Sequence, residues 1–277
     1  MKVIDSFIFF NEIELLKLRL HYLNDTVDHF IISESNYTHS GKPKPYYLDK
    51  VLDSLPEDIK SKIIRLKYEP DINQFNLQKD IEWCDLGNDY WKLERAQRSL
   101  IAENLSHFSS TDMFMVSDLD EIPSKEIVKE YKDAISENRE MFESFCGVVK
   151  SKLFYYNFTT FQNSDWDGTV VSTVGNTVRV GCDYLRYNRS QFYPIDNGGW
   201  HFSTFGDVNR IRTKIQSFAH QEFNKEHYIS DLNIEKSIQN KEDIYHISGK
   251  FKDYNLLDFP EDLRVNIIKF FPEEMYQ

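Results

Sequence analysis

Asp112-Met-Phe-Met-Val-Ser-Asp118-Leu-Asp120-Glu121-Ile-Pro123 is the stretch from which the rest of the chain is read. An apolar run of strand character, Met113 to Val116, ends in three carboxylates and a proline. In extended backbone, residues two apart point to the same side, so Asp118 and Asp120 can address one point. Carboxylates at the carboxyl end of a strand suit a hard divalent cation, which takes oxygen ligands and often holds phosphates as well. Ser124 then has the chemistry of a helix N-cap. In open α/β sheets ligands bind beyond the carboxyl ends of the strands, where this cluster falls. A chain with 45 acidic residues produces Asp-x-Asp pairs by composition alone, and most charge clusters are solvated surface. The buried-looking strand directly before this pair sets it apart.

Working outward, residues 2–10 read as a strand buried on both faces, as in a central parallel position. A helix follows with Ile13, Leu16, Leu20 and Leu23 at helical spacing, then a strand at 28–33 and a third at Ile63–Leu66. Strand–helix–strand alternation of this kind is the pattern of an α/β sheet. Asn11, Glu12, Glu34 and Ser35 stand at strand ends, on the edge where Asp118 is expected. Residues 36–47 form a Gly- and Pro-containing loop, basic and aromatic, placed to cover that edge. The stretch 68–90 reads as irregular. From Tyr90 to Phe108 the periodicity predicts a helix carrying Glu94, Arg95 and Arg98, whose guanidinium groups can meet a phosphate, pair with Asp118, or be solvated. A further helix runs to about residue 138.

The second half changes character. Residues 145–205 mix β-branched and aromatic residues with Gly, Asn and Asp, including Thr169-Val-Val-Ser-Thr-Val and Thr177-Val-Arg-Val, and predict mainly antiparallel strands and hairpins. No linker or repeat is visible, so the chain reads as one domain over 1–277, the β-rich part extending the first sheet. Gly198-Gly199-Trp200-His201-Phe202-Ser203 stands out: paired glycines admit a ligand close to the backbone, or make a hairpin turn, and His201 offers a nitrogen ligand. A helix begins near Asp207, with Asn209, Arg210, Arg212 and Lys214 on its polar faces.

Composition bounds the function. With 277 residues, 40% apolar and 15% aromatic, the chain has ample material for a core. A net charge of −12 argues against a nucleic-acid partner, which favours a basic face. It leaves a nucleotide open, because a metal ion neutralises phosphates locally. Cys84, Cys146 and Cys182 fit no zinc spacing and no disulfide framework, and buried reduced thiols are expected. The first ten residues, interrupted by Asp5, make neither a signal peptide nor an anchor, and no later segment has the length and apolarity of a membrane span. A soluble cytoplasmic protein is the simplest expectation.

The order of Phe9-Phe-Asn-Glu, Ile31-Ile-Ser-Glu-Ser-Asn-Tyr-Thr-His-Ser-Gly-Lys-Pro, the Glu94-to-Arg98 helix, Ser117-Asp-Leu-Asp-Glu-Ile-Pro and Gly199-Trp-His-Phe-Ser resembles glycosyltransferase family 17 over roughly residues 1–225. The resemblance implies a GT-A-like α/β fold with a mixed central sheet flanked by helices. It assigns a nucleotide-binding half to 1–140 and an acceptor-side half to 141–277. It further implies a UDP-sugar donor, UDP-N-acetylglucosamine in the characterised member, a glycan acceptor, a Mn²⁺ or Mg²⁺ requirement and inversion at the anomeric carbon. The animal enzymes carry a membrane anchor and stem not seen in this sequence, so a bacterial or viral surface glycan is the expected acceptor.

On that resemblance Asp120 ligates the metal, Asp118 binds the metal or the donor ribose, and His201 adds a later metal or diphosphate contact. Asn11, Glu12, Glu34, Arg95 and Arg98 join Asp118 on the donor. The general base that takes the acceptor proton in the single displacement is expected to be Glu222, with Asp196, Asp167 and Glu121 as the other candidates. Two further classes remain. One is a metal-dependent phosphohydrolase with Asp118 as nucleophile, disfavoured because the Asp pair follows a late strand. The other is a catalytically silent carbohydrate-binding module that uses its aromatic residues as stacking plates.

Overall fold

The residues before the Asp118 corner build four parallel strands. In the computed structural model, which describes residues 1–77, 81, 83–247 and 249–276, these are β1 (Val3–Phe9), β2 (His29–Ser35), β3 (Ile63–Tyr68) and β4 (Met113–Asp118). They lie in the order β3-β2-β1-β4. Of the irregular stretch 68–90, residues 78–80 and 82 lie outside the described residues. β1 is covered on both faces, as its near-continuous apolar run demands. Val3, Phe7 and Phe9 pack with helix Ile13–Leu23, while Ile4 packs with Ile31, Phe114 and Ile101 of helix Asp89–Glu103. Each fully buried Leu or Phe contributes about 1.5–3 kcal/mol.

The sheet continues through β5 (Glu121–Pro123), β6 (Gly147–Tyr156), β7 (Thr160–Thr173), β8 (Tyr193–Phe205) and β9 (Lys252–Asp253). The full order is β3-β2-β1-β4-β7-β6-β8-β5, with β9 beside β7. Only Leu119 and Asp120 separate β4 from β5 in the chain, yet β7, β6 and β8 lie between them in the sheet. The sheet therefore curls until its far edge returns to the end of β4. Hydrogen bonds across that curl close it: Thr169 Oγ1 of β7 donates to the Glu121 carbonyl at 3.1 Å. The mixed α/β fold expected from the sequence is the one observed. The 141–277 segment joins the first sheet through antiparallel pairing of β7 with β4.

Several local expectations are corrected. The helix carrying Arg98 stops at Glu103 rather than Phe108. Thr177-Val-Arg-Val is helical, within Val174–Val180, because Thr173 caps the helix and Val174 and Thr177 are buried; tertiary context overrides β propensity. β6 and β8 run parallel, so the second half is not a simple set of hairpins. Gly198 and Gly199 lie inside β8, and a Cβ on Gly199 would stand 2.4 Å from the Ile122 carbonyl oxygen. Gly199 admits the backbone of β5 and Gly198 the Val149 side chain of β6, so the pair serves neither a ligand nor a turn. All three cysteines are free, but of the three Cys182 alone is buried; Cys146 is half-buried and Cys84 exposed. Ser124 caps its helix as expected, accepting from Ile127 N at 3.3 Å, and the helix expected near Asp207 begins there with Asp207 as its cap, accepting from Arg210 N at 2.8 Å. Among the described residues no helix is long and apolar enough to cross a membrane.

Candidate active site

The far edge of the curled sheet, β5, returns to the end of β4 at the turn Asp118–Glu121, and a buried arginine supports that turn from below. Arg19 lies in the apolar stripe of helix Ile13–Leu23 and is fully buried. Its Nε and NH2 donate to both oxygens of Asp5, at 2.8 and 2.6 Å, in a fork that matches a carboxylate. NH2 also donates to Ser117 Oγ at 2.6 Å. NH1 donates to the carbonyls of Asp118, Leu119 and Glu121 at 3.0, 3.0 and 2.8 Å. The turn that carries the Asp pair is thus pinned from below through its backbone. That leaves its side chains free to point upward.

Glu121 turns inward instead. It is fully buried and receives Arg186 in a bidentate pair at 2.7 and 2.9 Å, Trp166 Nε1 at 2.8 Å and the Asp118 amide at 3.1 Å. Asp118 sits between two guanidinium groups, Oδ1 3.0 Å from Arg98 and Oδ2 2.9 Å from Arg186. Burial pushes its carboxyl up, but Arg186, Arg98 and Arg189 outweigh that and hold it below the usual carboxylate range. Asp120 accepts from Lys214 Nζ at Oδ2, 2.6 Å, and its Oδ1 stands 3.5 Å from His201 Nε2. Burial raises this carboxyl too, and Lys214 and His201 bring it down below its ordinary value. Lys214 is raised in turn: Asp120 and Glu12 overcome the effect of its burial.

Above the corner opens a cavity of about 860 Å³. Of the residues expected at the site, Glu12, Arg95, Arg98, Asp118, Asp120 and His201 line it together. Arg95 lies 3.6 Å from Asp183 and over the Tyr187 ring. Asn11 follows β1 next to Glu12, and its backbone N–H donates to Glu12 Oε2 at 3.1 Å. Glu34 is fully buried behind the cavity, where it accepts from Lys44, Arg65 and the amides of Tyr47 and Leu48. It thereby fastens the 36–47 loop, whose Tyr37, Thr38, His39 and Lys44 do face the cavity. Glu222 is also buried and does not line the cavity; its Oε1 lies 2.6 Å from Nδ1 of His220, which does. Asp167 pairs with Lys150 on β6 and β7, and Asp196 is an exposed residue of β8.

The reading of the sequence missed Arg19, Trp166, Arg186 and His220. Trp166 packs against His201 with ring centroids 4.7 Å apart and planes tilted by 39°, and Arg189 lies over its ring at 5.5 Å. Thr204, in a bulge of β8, lines the cavity with φ of 50°, a strained conformation of the kind that gathers at functional sites. Arg19 did leave a signal: an arginine within an apolar helix stripe, matched by Asp5 within an apolar strand.

Asp120 and His201 fit a divalent cation. Two adjacent ligands at about 2.1 Å from an octahedral ion stand about 3 Å apart. The 3.5 Å between Oδ1 and Nε2 is close to that and long for a strong hydrogen bond. His201 Nδ1 is buried without a hydrogen-bond partner. Both oxygens of Asp118, by contrast, already accept from arginine. A second group with metal-ligating atoms, Cys84, His220 and Glu222, has those atoms within 4.8 Å of one another.

Comparison with known proteins gives the class. The family model described as glycosyltransferase family 17 matches residues 1–258, and the chain belongs to that family. It is similar to the human beta-1,4-mannosyl-glycoprotein 4-beta-N-acetylglucosaminyltransferase, 28% identical over 207 residues, which cover 71% of this chain and 35% of that protein. The rat enzyme of the same name matches equally, with 34% of its length covered. The chain spans about a third of the length of these relatives. Among solved structures, Staphylococcus aureus TarS 1–349 aligns with a TM-score of 0.41 at 11% identity, covering 87% of this chain and 73% of that one. The galactosyltransferase LgtC in complex with donor and acceptor sugar analogues gives 0.36 at 11% identity, covering 69% and 64%.

Proposed function

We propose that the chain transfers N-acetylglucosamine from UDP-N-acetylglucosamine to a glycan hydroxyl, with inversion and with a divalent cation held by Asp120 and His201. The observation that carries this reading is the Asp118–Asp120 corner. It stands at the carboxyl end of β4, facing an 860 Å³ cavity shared with His201, Lys214 and a group of arginines. A mixed cluster of carboxylates and cations suits a diphosphate bridged to a metal; net negative charge elsewhere on the surface does not oppose it. The donor name comes from the relatives, and residues 1–140 supply most of the donor side in this reading.

The roles follow from position. Lys214, Arg98 and Arg186 neutralise the departing diphosphate, and Asp118 keeps the two arginines aimed while its exposed edge meets the donor ribose. Glu12 and Lys44 close the donor side. The tilted packing of Trp166 against His201 holds the imidazole that would face the cation. A bound Mn²⁺ or Mg²⁺ supplies Lewis-acid stabilisation of negative charge on the leaving group. The acceptor is a glycan hydroxyl that enters past the aromatic residues of the second half.

A ligand that binds only the native chain raises its thermal midpoint in proportion to affinity. UDP and UDP-N-acetylglucosamine with Mn²⁺ are expected to raise it by several degrees, chelator to cancel the rise, and Asp120→Ala to abolish it. No response to any nucleotide, with a response to free oligosaccharide, would replace the transferase reading by that of a carbohydrate-binding module.

A further inference from the structure

We infer that His220, oriented by Glu222, takes the proton from the acceptor hydroxyl. The inference rests on the transferase reading above and assigns its general base. Glu222 sits in the turn Gln221–Phe223, is 6% exposed, and does not reach the cavity. His220 does reach it, and its Nδ1 lies 2.6 Å from Glu222 Oε1. An ionised carboxylate only accepts, so Nδ1 carries a proton, and in the neutral imidazole that acts as base Nε2 presents the lone pair. Burial raises the Glu222 carboxyl, but the contact with His220 and further bonds, including one from Cys84, hold it below the usual range. Trp91 meets the imidazole edge-on at 4.6 Å, and Phe218 and Phe223 flank it at 5.5 and 5.7 Å. The ring is therefore oriented by one hydrogen bond and boxed by three aromatic side chains.

The carboxylates that line the cavity are engaged elsewhere, Glu12 included, whose Oε2 accepts from the Asn11 amide at 3.1 Å and whose charge acts on Lys214. Glu94 and Asp118 hold Arg98, Asp120 holds Lys214, Asp183 faces Arg95, and Asp243 accepts from the amides of Tyr245 and Ile247. Among the described residues, His220 offers a nitrogen to the cavity that no such bond claims. In the step, the acceptor O–H proton passes to Nε2 and the oxygen's electron pair forms the bond to the anomeric carbon. The bond from that carbon to the diphosphate breaks, and its electrons leave with UDP. Glu222 stabilises the imidazolium that results, which returns its proton to solvent.

The test uses the whole chain, with UDP release from UDP-N-acetylglucosamine and Mn²⁺ in the presence of a β-mannoside. His220→Ala is expected to lower kcat about 10²- to 10³-fold, the range of a positioned base, with donor KM within about twofold. Added imidazole is expected to restore at least about tenfold of the loss. Glu222→Gln is expected to lower kcat about tenfold or more, and Glu222→Asp to recover part of it; this pair decides the matter if His220→Ala does not fold. A kcat for His220→Ala or Glu222→Gln within about threefold of the parent overturns the assignment while the transferase reading stands. A parent chain that neither binds the donor nor releases UDP overturns both.

Discussion

The floor and the rim of the Asp118–Glu121 turn are built from the same residue types and differ in how completely they are satisfied. In the floor, Arg19 and Asp5 are wholly buried, and every nitrogen of the guanidinium has an acceptor. In the rim, Asp120 has one oxygen on Lys214 and the other facing His201 at 3.5 Å, while His201 Nδ1 has no partner. A buried charge whose bonds are complete fixes a shape; one whose bonds are incomplete at a cavity wall keeps capacity for a ligand. The floor is thus built for folding and the rim keeps capacity for a ligand, although both act on the one turn Asp118–Glu121.

Substitutions can break this contrast from either side. Arg19→Met leaves the Asp5 carboxylate buried without a partner and releases three backbone carbonyls of the turn. Removing one member of a buried pair costs about 3–5 kcal/mol. The expected result is a fall of that size in unfolding free energy by denaturant titration, with turnover lost because the turn is no longer pinned. A change below about 1 kcal/mol would mean that the floor does not support the site. Asp120→Asn is the opposite case. Lys214, about a quarter exposed, can return to water, so stability is expected to fall less than in Arg19→Met. UDP release is expected to fall about 10²- to 10³-fold, as when one preorganised electrostatic contact is removed, about 2.7–4 kcal/mol in the transition state. Equal losses in stability for the two variants would erase the distinction.

What the sequence disclosed follows the same line. The parallel half was legible because each strand and helix declares itself through local apolar periodicity, and the Asp pair stands at the end of one of those strands. The curl was not legible. Nothing in Glu121-Ile-Pro123 says that it pairs with Gly199–His201 and not with its chain neighbour β4, because pairing partners are chosen by the whole sheet. Thr177–Val180 went wrong for a related reason: a capping threonine and buried side chains outweighed β-branched composition. At the site, Asp118, Asp120 and His201 could be found as motif residues. Arg186 and Trp166 could not, since they reach the corner from segments with no pattern of their own. Glu222 stood out as an acid, but its role depends on the neighbour that turns it away from the cavity.

Trp166 joins floor and rim, so it sharpens the contrast by dividing it within one side chain. Its Nε1 donates to buried Glu121, a floor contact, and its ring packs tilted against His201, a rim contact. Trp166→Phe removes the donor and keeps an aromatic ring. A hydrogen bond to a charged group contributes about 1.5–3 kcal/mol, so a stability loss in that range is expected, with UDP release reduced only a few-fold. Trp166→Leu gives up the ring as well. Its stability loss is expected to match that of Trp166→Phe to within about 1 kcal/mol, while turnover falls by about a further tenfold as the His201 imidazole loses its aromatic neighbour. If turnover instead tracked stability through both variants, Trp166 would act on the site only by holding the fold. The orientation of His201 would then have to come from Asp120 alone.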